Sequence, residues 1–350
     1  MTTVLALNAG SSSLKFGVYD VSATGCETLF SGAEEMVGDA QEAVARIATA
    51  LTANAVPRPV VIGHRIVHGG PTLRRHVRID AVVRQQLETA KAFAPLHVPK
   101  ALALVDAAQL SFADTPQVAC LDTAFHGRMP DIARTLPLPG ELRALGIERY
   151  GFHGLSCESI IRRLGNDTPR RLVIAHLGYG ASVTAVGDGK SVDTSMGLTP
   201  TGGVIMSTRC GDLDPGVFAY VVREHGYTAA QLESLIDVRS GMLGISGVSG
   251  DLRVLHADVA SESVTSADAR LAIAMFCYSV RKQVAAMMVV LGGLDMLVFT
   301  GGIGEHDAVI RASISDGLAA LGVRDVGEVV RVMPAQEEEQ IAWQSWQVVS

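Results

Sequence analysis

The chain has 350 residues, 48% of them hydrophobic and 19% charged, with a formal net charge of -7. That length gives room for two domains with real cores, and the composition excludes a disordered chain. The acidic balance argues against nucleic acid and anionic membrane surfaces as partners, so an anionic substrate would need locally placed Arg and Lys.

Val4 to Leu7 is an apolar run that enters Asn8-Ala9-Gly10-Ser11-Ser12-Ser13 and leaves as the alternating Leu14, Phe16 and Val18. The pattern predicts strand, turn, strand. A turn of small residues lets backbone N–H groups approach an oxyanion, Asn8 and the serines add side-chain donors, and Lys15 adds charge. The expectation is a phosphate-handling hairpin, with a plain surface hairpin as the alternative.

An Ala-rich segment over 40–51 has helical spacing, and 60–65 reads as a buried strand running into His68-Gly69-Gly70-Pro71. Helices are expected over 82–93 and, opened by Pro99, over 101–110. Val118 to Thr123 is a short apolar strand with Asp122 near its end, where a buried carboxylate is costly unless paired or metal-bound. His153 lies between Gly151 and Gly154 in a loop before a helix over 156–164. Residues 172–186 then repeat the opening order of strand, glycine loop and alternating strand. The same unit therefore occurs twice, and two facing α/β domains would bring both loops to one cleft. A long helix over 267–291 reads as buried, because its strongly apolar part, 284–294, is too short to span a bilayer. Strand 296–300 feeds Gly301-Gly302-Ile303-Gly304-Glu305, and the last helix is expected from Ala335 to about Val348. No linker is visible, which puts the domain junction near 145–150.

No basic n-region or cleavage site follows Met1, so no signal peptide is expected. The five scattered cysteines, Cys26, Cys120, Cys157, Cys210 and Cys277, include no C-x-x-C pair. They fit reduced thiols in the cytoplasm. Gly189-Lys190-Ser191 lacks the earlier glycine of a P-loop, which is Thr184 here. Gly178-Tyr179-Gly180 lacks the third glycine of a dinucleotide loop, Val183 here, and leads into a strand. No G-x-S-x-G is present, and His64 and His68 lie outside a helix. Arg65 and Arg209 sit in non-helical segments. Two arginines, His153, Asp122 and two phosphate-type loops suit phosphoryl transfer, which is mostly positioning and charge neutralisation.

Together these residues resemble the acetate kinase (acetokinase) family along nearly the whole chain. The resemblance is carried by seven ordered segments: Asn8 to Lys15, His64 to Gly70, Pro95-Leu96-His97, Asp122 to His126, Tyr150 to Gly154, Thr208 to Gly211 and Gly302 to Glu305. It implies an α/β fold of duplicated actin/sugar kinase/Hsp70-type (ribonuclease H-like) domains with an interdomain active-site cleft. The first domain would be residues 1–147 plus 338–350, the second 148–337. The implied reaction is reversible, Mg²⁺-dependent transfer (Mn²⁺ as an alternative) from ATP to acetate or a related short carboxylate, by direct in-line displacement. Asn8, Arg65, Asp122, His153 and Arg209 would be catalytic. Arg65 and Arg209 would hold the carboxylate, with Val67, Leu96 and Phe152 around its methyl group. Asn8, Asp122 and Glu337 would place the metal. Ser11, Ser12, Lys15, His176, Gly178, Tyr179, Gly180, Asp251, Leu252, Arg253, Gly301, Gly302, Ile303 and Gly304 would bind ATP or ADP. The resemblance also implies a cytoplasmic homodimer joined through the second domain, with neither nucleic acid nor membrane as partner.

The chain departs from the family pattern at Tyr179, where the family has Asn, and at Leu252, where an aromatic is common. Gln336 replaces Asn, Cys157 stands where a His often occurs, and the chain is shorter than expected for the family. Propionate or butyrate kinase thus stays open, as does a catalytically weak nucleotide-binding regulator of the same fold. A sugar or glycerol kinase, with Asp122 as general base, fits the paired arginines less well.

Overall fold

The computed structural model describes residues 2–10, 13–35, 39–323 and 329–350. The two apolar strand patterns of the sequence become two separate sheets. Thr2–Ala9 (β1), Ser13–Ser22 (β2) and Gly25–Glu35 (β3) form an antiparallel meander. Val61–Ile66 (β4), Val77–Arg78 (β5) and Gln117–Leu121 (β6) extend it beyond β1 in the order β3-β2-β1-β4-β6-β5. β1, β4 and β6 run parallel. The second sheet repeats this plan. Arg171–Leu177 (β7), Ala181–Gly187 (β8) and Lys190–Thr194 (β9) form a meander. Met296–Thr300 (β10) lies parallel beside β7, followed by Val330–Val332 (β11). The duplication read from the two glycine loops is therefore a duplication of topology.

Ten helices matter for the site and its support: Ala40–Ala53 (α1), Ala81–Thr89 (α2), Val98–Ser111 (α3), Gly154–Leu164 (α4), Pro215–His225 (α5), Ala229–Val238 (α6), Leu252–Ser261 (α7), Ser266–Leu291 (α8), Gly301–His306 (α9) and Glu337–Val349 (α10). Asp39 and Asp80 cap α1 and α2 by accepting from Glu42 N and Val83 N, and Pro99 occupies the first turn of α3. One face of the first sheet, Leu5, Leu7 and Phe16, packs on Ile47 of α1 and Leu104 of α3. The opposite face, Val4, Ala6 and Val118, packs on Ile341 and Ala342 of α10. Burial on both faces explains why these strands read as unbroken apolar runs.

Several expectations change. β3 has no counterpart among the expected elements: this edge strand, with Glu27, Thr28 and Ser31, carries no apolar run. α3 begins at Val98, three residues before the expected 101, and α10 at Glu337, two residues after the expected Ala335. α8 is only half core: Ala272, Phe276 and Val280 are buried, whereas Leu271, Met275, Tyr278 and Val289 are exposed. By length and composition it is also the one helix among the described residues able to cross a bilayer. α5 and α6 were not foreseen, and neither buries a residue.

α10 lies directly on β4. A Cβ at Gly63 would meet Ser345 Oγ and stand 2.6 Å from Ile341 Cγ2. Gly63→Ala is expected to cost about 1–3 kcal/mol through overpacking. Urea unfolding checks this, and an unchanged midpoint would contradict the packing.

Candidate active site

The C-terminal ends of β4 and β6 deliver Arg65 and Asp122 to one wall of a 510 Å³ cleft between the sheets, with Asn8 of β1 buried behind that wall rather than lining it. The start of α10 brings Glu337 and Glu338 to the same wall. Arg65 donates from Nε (2.9 Å) and Nη2 (2.7 Å) to Asp122 Oδ2, and from Nη1 to Asn8 Oδ1 at 3.0 Å. Asn8 Nδ2 donates to Glu337 Oε2 at 3.1 Å and to Glu338 Oε1 at 2.8 Å. Glu337 also lies 3.8 Å from Arg65 Nη1. Burial pushes the Asp122 carboxyl above the usual carboxylate range, against the pull of Arg65. Burial would raise Glu337 too, but Arg65, His176, the Asn8 hydrogen bond and Lys15 together hold it below its ordinary value.

The opposite wall carries Arg209 and the β7–β8 loop. Arg209 contrasts with Arg65: it makes no ion pair among the described residues, and Nη1 donates only to Pro200 O at 3.3 Å and contacts Met206 Sδ. Burial lowers its pKa, Asp237 and Tyr179 oppose that, and Arg65 adds to it. A half-buried guanidinium without a carboxylate partner is a seat for an anion. His153 and His176 stand beside it. Burial and neighbouring positive charge hold His153 well below its ordinary pKa, and burial lowers His176. His153 occupies the left-handed region at φ 57°, which aims its ring inward from the start of α4.

Glycines shape the floor. A Cβ at Gly180 would stand 3.1 Å from Arg209 Nη1 and 3.3 Å from His153 Nε2. Gly301, at φ 77°, opens α9, and a Cβ there would lie 2.7 Å from Leu177 O. Glu305 Oε1 accepts from Gly301 N (2.9 Å) and Ala335 N (3.0 Å), tying this loop to the start of α10.

The cleft also brings together Lys15, Val67, Phe152, Gly178, Tyr179 and Gly302 from the expected set. Other expected residues fall elsewhere. Leu96 is 57% exposed and lies off the cleft lining, and its neighbour His97 faces the cleft instead. Asp251 and Arg253 pair with each other at 2.6 Å outside the lining, and Leu252 is buried at the start of α7. Ile303 and Gly304 point away within α9, Ile303 packing on the core. Ser11 and Ser12 lie outside the described residues. Reading the sequence assigned no role to His97, Pro200, Glu305 or Glu338; the segments Pro95-Leu96-His97, Gly302 to Glu305 and Glu337-Glu338 contain three of them, but no local pattern turns these side chains toward the cleft. Burial and the charges of Arg209, Arg65 and Lys100 lower His97 to about 4, so it enters the cleft neutral.

Among the described residues, no three His, Cys, Asp or Glu side chains cluster as a dedicated metal cage. Asp122 Oδ1 is nevertheless buried without a hydrogen-bond partner, and Glu337 stands nearby. Hard oxygens in this number fit a hydrated Mg²⁺ held jointly with nucleotide phosphates.

The sequence profile of the Acetokinase family matches residues 3–343. The chain is 43% identical to the acetate kinase of Shewanella amazonensis over 345 residues, covering 89% of this chain and 85% of that protein. It superposes on a propionate kinase from Francisella tularensis with a TM-score of 0.90 at 33% identity, covering 99% of this chain and 100% of that one. The acetate kinase of Porphyromonas gingivalis gives 0.86 at 30% identity and full coverage of both chains.

Removing Arg65 would leave Asp122 buried and unpaired, raising its folded pKa further. The cost is absent below the unfolded carboxylate value, grows from there up to the folded one and levels off above it. Because Asp122 of the parent is already raised to about 6, the extra loss opens above about pH 6. Arg65→Ala is expected to lose about 3–5 kcal/mol relative to the parent protein at about pH 8, and clearly less at about pH 5. Urea unfolding at both pH values measures this, and equal losses would contradict it.

Proposed function

The chain belongs to the acetokinase family and is a phosphotransferase with a carboxyl acceptor, and we propose that it carries the γ-phosphoryl group of ATP to acetate by direct in-line displacement. The observation that carries this reading is Arg209, a guanidinium without a carboxylate partner among the described residues, facing the same cleft as Arg65. A hydroxyl acceptor would need a general base, whereas a carboxylate is already ionised at neutral pH and needs an anion seat.

A carboxylate oxygen attacks the γ-phosphorus while the bond to the β-phosphate oxygen breaks and its electron pair leaves with ADP. No proton moves. Arg209 holds the acceptor, with Val67 and Phe152 as apolar neighbours for its methyl group. Arg65, fixed by Asp122 and Asn8, faces the equatorial oxygens and cannot swing away. His153 hydrogen-bonds the phosphoryl in transit. Gly178, Gly180, Gly301 and Gly302 leave backbone exposed to the nucleotide phosphates, with Lys15 across the cleft. Bound Mg²⁺ would neutralise phosphate charge, with Asp122 and Glu337 as its protein ligands and Asn8 orienting them.

The exposed apolar side chains of α5 and α8, among them Val217, Tyr220, Met275 and Tyr278, support a homodimer joined through the second half. Five unpaired cysteines support a reducing, cytoplasmic setting.

Hydroxylamine trapping with Mg²⁺-ATP and acetate, propionate or butyrate is expected to give acyl hydroxamate, fastest with acetate. One methylene in an apolar pocket shifts preference by only about 1–3 kcal/mol, so the ranking names the acceptor. Silence across the panel, with ATP binding intact, would favour the regulator reading, in which Tyr179 impairs use of the nucleotide. Arg209→Ala is expected to lower kcat by about 100- to 1,000-fold. Because Arg209 is not ion-paired, the unfolding midpoint should stay near that of the parent. Near-normal turnover would remove Arg209 from the mechanism.

A further inference from the structure

Two serine–histidine hydrogen bonds cross beneath the cleft. His153, just before α4, has its Nδ1 3.0 Å from the Oγ of Ser182 on β8. Ser156, in the first turn of α4, has its Oγ 2.8 Å from the Nδ1 of His176 on β7. The start of α4 and the β7–β8 hairpin thus each supply one imidazole and one hydroxyl. The rings stack with centroids 4.1 Å apart and planes 19° from parallel. All four side chains are buried.

The crossed bonds decide where the protons sit. Neither serine hydroxyl has another side-chain hydrogen-bond partner among the described residues. A buried O–H facing a single acceptor donates to it, so each Nδ1 accepts a hydrogen bond and each neutral imidazole carries its one proton on Nε2. A positive charge on either ring would repel one on its neighbour at this stacking distance. The Nε2 atoms face the places that glycine keeps clear. A Cβ at Gly180 would stand 3.3 Å from His153 Nε2, and a Cβ at Gly301 would stand 3.1 Å from His176 Nε2. Neither Nε2 has a protein hydrogen-bond acceptor among the described residues.

We propose that Ser156 and Ser182 are positioning residues that lock His176 and His153 as neutral Nε2–H donors, one aimed beside Arg209 at the transferring phosphoryl and the other at a phosphate on the Gly178 and Gly301 loops. What the donors hold rests on the carboxylate-kinase reading. The tautomer does not, since it is a property of the resting protein.

Long-range ¹H–¹⁵N NMR of the full chain labelled in histidine nitrogen tests it, with His153→Gln and His176→Gln identifying the two signals. Both rings should show a protonated Nε2 and an acceptor Nδ1. In Ser182→Ala and Ser156→Ala the Nδ1 shift of the partner histidine should move. kcat should fall about tenfold while KM for acetate stays within about twofold, as expected when a donor made for the transition state is loosened. A protonated Nδ1 or a cationic ring in the parent protein would overturn the proposal. So would alanine variants whose ¹⁵N pattern and kcat match the parent. Absence of acyl phosphate from the parent would instead count against the kinase reading and leave the NMR result standing.

Discussion

A guanidinium fixed among carboxylates at the ends of three parallel strands governs the rest of this cleft. Arg65 could not stay buried without Asp122, and Asp122 could not stay buried without Arg65. Asn8 then ties Arg65 to Glu337 and Glu338, which belong to the last helix of the chain. One hydrogen-bonded group therefore joins residues from both ends of the sequence and fixes α10 against β1, β4 and β6. The cost of burying these charges is offset only when every partner is in place, which makes the wall rigid.

The other wall works by the opposite logic. Among the described residues Arg209 and the two imidazoles make no ion pair, and the Nε2 atoms of both rings face space that glycine keeps clear. A satisfied cation opposite an unsatisfied one separates two tasks in one cleft. Arg65 is placed by the protein, whereas Arg209 awaits an anion. That division suits transfer between two anions, where repulsion between acceptor and donor is the main obstacle.

Much of this was legible in the sequence because strand ends and glycine loops have local signatures. Asn8, Arg65 and Asp122 each close an apolar run, and His153, Gly178 and Gly180 mark their loops by the glycines around them. The duplication showed in the same way. Residues whose role depends on distant packing were not legible. His97 rather than Leu96 faces the cleft because the orientation at the start of α3 is set by tertiary contacts, not by local pattern. The family resemblance assigned Asp251 and Arg253 to the nucleotide, whereas at the start of α7 they pair with each other outside the cleft lining. Glu305 and Glu338 act across separations of 30 and 330 residues. Ser156 and Ser182 gave no signal, since a buried serine is recognised only by what it touches.

The central claim is that a carboxylate oxygen, not water, attacks the γ-phosphorus. ³¹P NMR of the product formed from ATP and acetate labelled with ¹⁸O in both carboxyl oxygens tests it most directly. The account predicts an acyl phosphate whose phosphorus signal shows the isotope shift of one ¹⁸O in the bridge. Unlabelled inorganic phosphate as the sole phosphorus product beside ADP would mean attack by water and would contradict it.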